Sequence, residues 1–139
     1  MINVTGNAPR KLINWFAKAG GVYKGQLVVT NSGATPASAA LSTAIILGVA
    51  LETQLVTNGI VKLYPVLGNI LEIDYDPTAT KKTFAVTDLG TQYDIVVIDN
   101  EHFLDPDDTT GGFLVLVGYE NDIKKAYVAV EGADCFLSV

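Results

Sequence analysis

The residues of this sequence that could do chemistry are mostly carboxylates. Glu72, Asp74 and Asp76 alternate with apolar residues, and alternation at period two places all three on one face of a strand. Two carboxyl groups about 5 Å apart are the machinery of a retaining glycosidase, and i, i+2 neighbours on a strand lie only somewhat farther apart. The same alternation is typical of any half-exposed strand, which is the interpretation we favour.

A second acidic cluster consists of Asp105, Asp107 and Asp108, within the polar stretch 99–112. Clustered oxygens are what calcium prefers as ligands. The cluster lacks the glycine at the sixth position and the glutamate at the twelfth position of an EF-hand loop. The prediction is therefore a solvated acidic loop over residues 99–112.

His102 is the only histidine of the chain and Cys135 its only cysteine. A zinc site or a Ser-His-Asp triad would have to use His102, yet no Gly-x-Ser-x-Gly motif presents a serine. No phosphate-binding Gly-Lys-Ser/Thr triplet follows Gly20 and Gly21 either. We expect His102 at the surface and Cys135 as a buried, inert thiol. The sequence predicts no cofactor, no metal site and no enzyme chemistry.

Charge is divided unevenly along the chain. Before Glu52 all charged residues are basic, whereas residues 52–139 contain five lysines and fifteen acidic residues. The early cations are Arg10, Lys11, Lys18 and Lys24. A basic leading segment on an acidic chain predicts an arm, about residues 1–20, that docks on an acidic partner or on its own acidic body. Four cations are too few for a nucleic-acid interface, so no nucleic-acid partner is expected.

The segment 11–19 fits two kinds of secondary structure. Leu12, Ile13 and Phe16 have helical spacing, whereas a strand would place Leu12, Asn14 and Phe16 on one face. Trp15 and Phe16 lie beside cations, which suits an anchor on a partner. Packing over the protein's own core is the interpretation we favour for these two rings.

The rest of the chain has the pattern of short strands separated by turns. The uncharged stretch 25–51 has a continuous apolar part of only eight residues, too short to span a membrane, and the amino terminus lacks the pattern of a signal peptide. We predict strands at 26–30, 44–51, 60–65, 70–75, 84–86, 93–98, 113–119 and 125–130, with a small-residue loop at 31–43 and a meander over 44–75. This spacing predicts one all-β domain over residues 1–139, a small antiparallel β-barrel or β-sandwich.

Several stretches, taken in order, resemble the small β-rich capsid decoration, or cement, proteins of tailed bacteriophages. They are AGGVYKGQLV (19–28), ILGVALE (46–52), LYP and GNILE (63–65 and 68–72), VTDLGTQYDI (86–95), and FLVLVGY and KAYV (113–119 and 125–128). The resemblance covers roughly residues 19–130. It implies a barrel or sandwich body on the outer capsid surface, made in the host cytoplasm, which reinforces joints between major capsid protein subunits and has no catalytic residues.

For that role we expect a contact group formed by Arg10, Lys11, Trp15, Phe16 and Lys18. A homo-oligomer is expected, with a trimer favoured over a dimer, because a closed symmetric contact can be matched by the capsid lattice beneath it.

Two other functions stay open. One is a carbohydrate- or ligand-binding module that uses Tyr64, Tyr93 and Tyr119 for stacking and the acidic loop for a cation. The other is an enzyme using Glu72 and Asp74.

Overall fold

The chain folds almost entirely as β-strands. The computed structural model describes residues 1–5, 12–38, 45–110 and 112–130. These residues form eleven strands and a 3-10 turn at Val86–Asp88. The strands are β1 (Asn3–Val4), β2 (Ile13–Phe16), β3 (Leu27–Thr30), β4 (Ala34–Pro36), β5 (Ile46–Ala50), β6 (Ile60–Tyr64), β7 (Leu71–Asp74), β8 (Gln92–Ile98), β9 (Glu101–Asp105), β10 (Leu114–Glu120) and β11 (Lys125–Val130). The all-β prediction is confirmed.

The strands form two antiparallel sheets, each of which curls back on itself. The six-stranded sheet has the order β1-β7-β11-β10-β8-β9, and the five-stranded sheet has the order β2-β6-β5-β3-β4. In the first sheet a parallel bridge joins Tyr75, just after β7, to Leu104 of β9. In the second, Ala17, just after β2, makes the same kind of bridge to Ala34 of β4. The architecture therefore combines two sheets with partial barrel closure.

Strand β5 and the first three residues of β3 are apolar because both of their faces are buried. Leu27 and Val29 point into a larger core that contains side chains from both sheets, whereas Val28 points into a smaller core formed by the five-stranded sheet and its connections. Ile46 and Leu47 divide between the two cores in the same way. A strand covered on both sides needs a continuous apolar run rather than alternation. This explains the uncharged stretch around β5.

The predicted meander over residues 44–75 is only half right. Strands β5 and β6 pair as expected, but β7 belongs to the other sheet, where it pairs with β1 and β11. The connection between β6 and β7 crosses from one sheet to the other, and its Val66 is buried in the larger core. Since β7 alternates buried and half-buried residues, its pattern fits either sheet.

Three loop and strand assignments are also corrected. The predicted acidic loop 99–112 contains strand β9, because Asp99 and Asn100 adopt positive φ angles of 50° and 63° and form a two-residue hairpin turn after β8. The predicted loop 31–43 contains β4. The predicted strand 84–86 is instead a segment that leads into the 3-10 turn. The hairpin of β10 and β11 is confirmed. Cys135 lies outside the described residues.

Within the segment 11–19, which fitted either a helix or a strand, residues 13–16 form strand β2. Ile13 and Ala17 are buried, while Leu12, Asn14 and Phe16 are exposed, as expected for alternation on a strand. Strand β2 pairs with β6, and β1 pairs with β7. The described parts of the first 20 residues are therefore built into the two sheets.

Candidate binding surface

The carboxylates of β7 form an ion-pair network across the sheet. Glu72 and Asp74 share one face of the strand, as predicted, and both contact the Nζ of Lys125 on β11, at 3.2 and 2.9 Å. The hydrogen bond to Asp74, followed by the one to Glu72, raises the pKa of Lys125. The Asp76 carboxylate accepts hydrogen bonds from the N–H and Oγ1 of Thr78, at 2.8 and 2.7 Å. All three groups therefore have structural partners.

The carboxylates of the second acidic cluster accept hydrogen bonds from backbone N–H groups. Asp105 accepts the N–H of Asp107 at 3.0 Å, and Asp108 bonds within its own loop in the same way. Asp107 accepts the N–H groups of Lys81 and Thr80, and these bonds hold the pKa of its carboxyl below the usual value. Among the described residues no group of three or more His, Cys, Asp or Glu side chains is placed to hold a metal ion.

His102 is buried in strand β9, so the expectation of a surface histidine was wrong. Its Nδ1 accepts the backbone N–H of Leu27 at 2.9 Å, which joins the six-stranded sheet to β3 of the other sheet. Because Nδ1 accepts, the neutral ring carries its proton on Nε2. Nε2 lies near the backbone of Ala37 without meeting the geometry of a hydrogen bond. Burial, the largest effect, lowers the pKa of His102 to about 4.

The three tyrosines of the ligand-binding hypothesis do not form a common stacking surface. Tyr93 is buried and meets Phe84 edge-on, with ring centroids 5.2 Å apart. Tyr75 also meets Phe84 edge-on, with ring centroids 4.8 Å apart. Tyr64 lies on β6 of the five-stranded sheet and Tyr119 on β10 of the six-stranded sheet, and both are half-buried. The aromatic cluster of Tyr75, Phe84 and Tyr93 is part of the larger core.

Three of the five residues of the predicted contact group lie in the described part of the chain. Trp15 is half-buried and packs against the smaller core, and Phe16 is 48% exposed. Their rings stack, with centroids 6.1 Å apart and planes 13° apart, and both line a shallow groove with Ile60. A Cβ added at Gly33 would lie 3.2 Å from both Phe16 Cε2 and Lys18 Cβ, which places Phe16 and Lys18 side by side. Arg10 and Lys11 lie outside the described residues. Phe16 and Lys18 are thus brought together, and Trp15 supports the Phe16 ring by stacking on it.

Phe16 belongs to an exposed apolar patch. Phe16 and Ile60 are cross-strand partners on β2 and β6, and Ile60 is 62% exposed. Leu55 and Val56, in the connection between β5 and β6, are 52% and 68% exposed. We call Phe16, Leu55, Val56 and Ile60 the apolar patch. Scattered exposed apolar residues are normal, but adjacent ones often mark an interaction site.

The loop that carries Leu55 and Val56 is held in place by side-chain and backbone hydrogen bonds. The side chain of Gln54 accepts the N–H of Val56 and donates to the carbonyl of Ile60, both at 3.1 Å. Ala17 donates its N–H to the carbonyl of Gly59 at 2.9 Å. The loop is therefore anchored to both β2 and β6, and the patch is a preformed surface.

Gly21, in the turn after β2, allows the backbone of this loop to lie close to residues 21 and 22. Gly21 has a φ of +67°, and a Cβ at this position would collide with the backbone carbonyl oxygen of Gln54. Val22 and Gln54 exchange backbone hydrogen bonds at 2.9 Å in each direction. Only glycine accepts both the left-handed backbone and the close approach.

Sequence reasoning missed three of the four patch residues. Leu55 and Val56 fall between the predicted strands 44–51 and 60–65, where the sequence predicts a connection. Ile60 was treated as an ordinary strand residue. The exposure of Ile60 depends on which sheet covers β6, and the sequence does not give this information.

The uneven charge along the chain becomes a division between the two sheets. Among described residues 12–64, which build the five-stranded sheet, three lysines accompany a single acidic residue, Glu52. Among described residues 71–130, which supply all of the six-stranded sheet except β1, four lysines accompany twelve carboxylates. The protein therefore has a mildly basic sheet that bears the apolar patch and a strongly acidic sheet.

Searches with the sequence find no matching family among known protein families and no similar protein among curated proteins. Within the described ranges there is no helix with the length and apolar character needed to cross a membrane.

Proposed function

We propose that this protein is a structural virion component that decorates the outside of a tailed-phage head and stabilises it by bridging major capsid protein subunits. Its partner is the major capsid protein, and it acts as a homo-oligomer, with a trimer favoured over a dimer. The sequence resemblance supports this proposal, since the stretches that carry it lie on strands of both sheets: 46–52 contains β5, and 113–119 and 125–128 lie largely on β10 and β11.

The observation that carries the proposal is the division of charge between the sheets. A cement protein needs one adhesive side, while its other side has to remain soluble and must not attract further copies. The acidic six-stranded sheet suits the solvent side, because like charges keep neighbouring copies apart. The five-stranded sheet, with lysines around exposed apolar side chains, suits the adhesive side.

The contact group predicted from the sequence is compatible with this orientation. Phe16 and Lys18 project outward together, and Trp15 fixes β2 by packing against the smaller core. A contact residue on a strand of a sheet is already ordered, so binding does not have to order it. Arg10 and Lys11 precede β2 and extend the basic character of the same segment.

The direct test is co-sedimentation of the purified protein with expanded phage heads that lack decoration. We expect saturable binding at a fixed ratio to the major capsid protein, together with a solution mass that identifies the oligomer. Heads that already carry their decoration are the control, since their sites are occupied. Binding that does not saturate, or that is equal on decorated and bare heads, would refute the proposal.

Deletion of the first 18 residues would not be a clean test of the contact group. It would remove β1 and β2, which pair with β7 and β6. The triple substitution Arg10→Ala, Lys11→Ala and Lys18→Ala leaves the pairing residues in place. We expect it to slow association with heads about tenfold at low salt, with a smaller difference at high salt.

A further inference from the structure

The outward face of β2 and β6 is uncovered in the described part of the protein. Neither strand contributes a side chain to the larger core between the two sheets, which draws on β3 and β5 instead. Their inward side chains fill the smaller core, and their outward side chains are exposed or half-buried. The apolar patch therefore lies on the side of the five-stranded sheet that points away from the acidic sheet.

Two lysines border the apolar patch. Lys62 lies on the outward face of β6, two residues from Ile60 and opposite Asn14 of β2. Lys18 lies beside Phe16. Among the described residues neither ammonium group lies within ion-pair distance of a carboxylate, in contrast to Lys81 and Lys125 of the acidic sheet. An apolar centre with a charged, solvent-accessible rim is the usual anatomy of a protein–protein interface.

We infer that this face docks an acidic protein surface, with the apolar patch buried at the centre and Lys18 and Lys62 paired with carboxylates of the partner at the rim. The inference rests on the proposed function, in which the partner is the major capsid protein, and adds the face used and the chemistry of the surface that receives it. Unpaired cations around the patch select a partner of opposite charge.

A second copy of this chain fits the same face less well. A two-fold symmetric contact through the patch would bring Lys18 and Lys62 of one copy close to the same lysines of the other. A head-to-tail contact of the patch with the acidic sheet of a second copy would match in charge. Such a contact closes into a ring only for particular rotations and otherwise produces open filaments. An acidic partner of another kind avoids both difficulties.

The test uses paired substitutions in the full-length protein. Val56→Ser with Ile60→Thr removes apolar surface from the patch at two exposed positions. The control, Val86→Ser with Ile123→Thr, changes residues that are 73% and 53% exposed in connections of the acidic sheet. Binding of each protein to bare expanded heads is measured by co-sedimentation at two salt concentrations, and the solution mass of each is measured separately.

We expect the patch variant to bind heads about 100-fold more weakly and the control variant to bind like the wild type. Replacing Lys18 and Lys62 by glutamine should weaken wild-type binding at low salt more than at high salt. If the wild type binds and the patch variant binds equally well, the docking face is refuted while the proposed function stands.

If the wild type does not bind heads, the proposed function and the partner inferred from it both fail. If the patch variant has a lower solution mass than the wild type while the control variant does not, the patch joins copies of this chain, and the acidic partner is refuted.

Discussion

The burial of His102 predicts a loss of stability in mild acid. Burial lowers the pKa of the folded ring to about 4, and the nearby amino-terminal ammonium group also disfavours a charged ring. In the unfolded chain the pKa is about 6.5. As the pH falls below about 6.5, His102 is protonated in the unfolded chain but stays neutral in the folded protein. The contribution of His102 to stability is therefore complete above pH 6.5 and is lost between pH 6.5 and 4.

The magnitude follows from the two pKa values. A difference of about 2.5 units corresponds to about 3 kcal/mol once the pH is below both values, and about 2 kcal/mol of this is lost between pH 7 and pH 5. The structural reason is that a protonated ring cannot accept the N–H of Leu27, and that hydrogen bond joins the two sheets. Protonation therefore leaves a buried donor without its acceptor, which costs free energy.

The assay compares urea unfolding of the wild type and His102→Gln at several pH values. Glutamine retains an acceptor oxygen but does not titrate, and the carboxylates that also respond to acid are the same in both proteins. We expect the wild type to be more stable at pH 7 and its advantage to shrink by about 2 kcal/mol at pH 5. Because His102 is the only histidine, its NMR signal gives the folded pKa directly. A signal that titrates near pH 6.5 with an unchanged stability difference would refute the reasoning.

Three further substitutions test the packing. Gly21→Ala should destabilise the fold by about 2 kcal/mol or more, because the left-handed backbone alone costs about 1–2 kcal/mol and the new Cβ collides with the Gln54 carbonyl. Phe84→Ala should cost about 3–5 kcal/mol, since it empties the centre of the aromatic cluster. Lys125→Met should cost less than about 1 kcal/mol, because its ion pairs are partly exposed, and the difference should shrink in about 1 M salt. Urea unfolding followed by fluorescence of Trp15, the only tryptophan, measures all three. A near-neutral Gly21→Ala or Phe84→Ala, or a large loss with Lys125→Met, would contradict the packing described above.

The strands were predictable where the pattern is local. The hairpin of β10 and β11 was predictable because two apolar runs flank a short polar turn, and β5 and β6 are likewise apolar runs bounded by turn residues. The sheet to which β7 belongs was not predictable, because its partners β1 and β11 are distant in sequence and its alternating pattern fits either sheet. Strand β9 was missed because its acidic residues suggested a loop, whereas Asp99 and Asn100 also suit a two-residue hairpin turn.

The candidate site was predictable only in part. The cations and aromatic residues near the amino terminus pointed to Phe16 and Lys18, and the structure brings these two together. Trp15 combines the two alternatives that the sequence leaves open, because it packs against the smaller core and also stacks on Phe16. Val56 and Ile60 could not be recognised, since the exposure of Val56 depends on how its loop is anchored through Gln54, and that of Ile60 on which sheet covers β6.

The fold separates the strands that hold the sheets together from the strands that carry the apolar patch. Strands β3 and β5 supply side chains to both cores, so their substitution would weaken the whole structure. The outward positions of β6 and the loop before it belong to neither core, and Val56 and Ile60 are largely exposed. Substitutions at such positions usually change the free energy of unfolding by no more than about 0.5 kcal/mol. The double substitution Val56→Ser with Ile60→Thr should therefore unfold in urea close to the wild type, so that any loss of binding to phage heads reports the surface itself. A loss of stability well beyond this would mean that the patch is part of the folding core, and the docking inference would lose its basis.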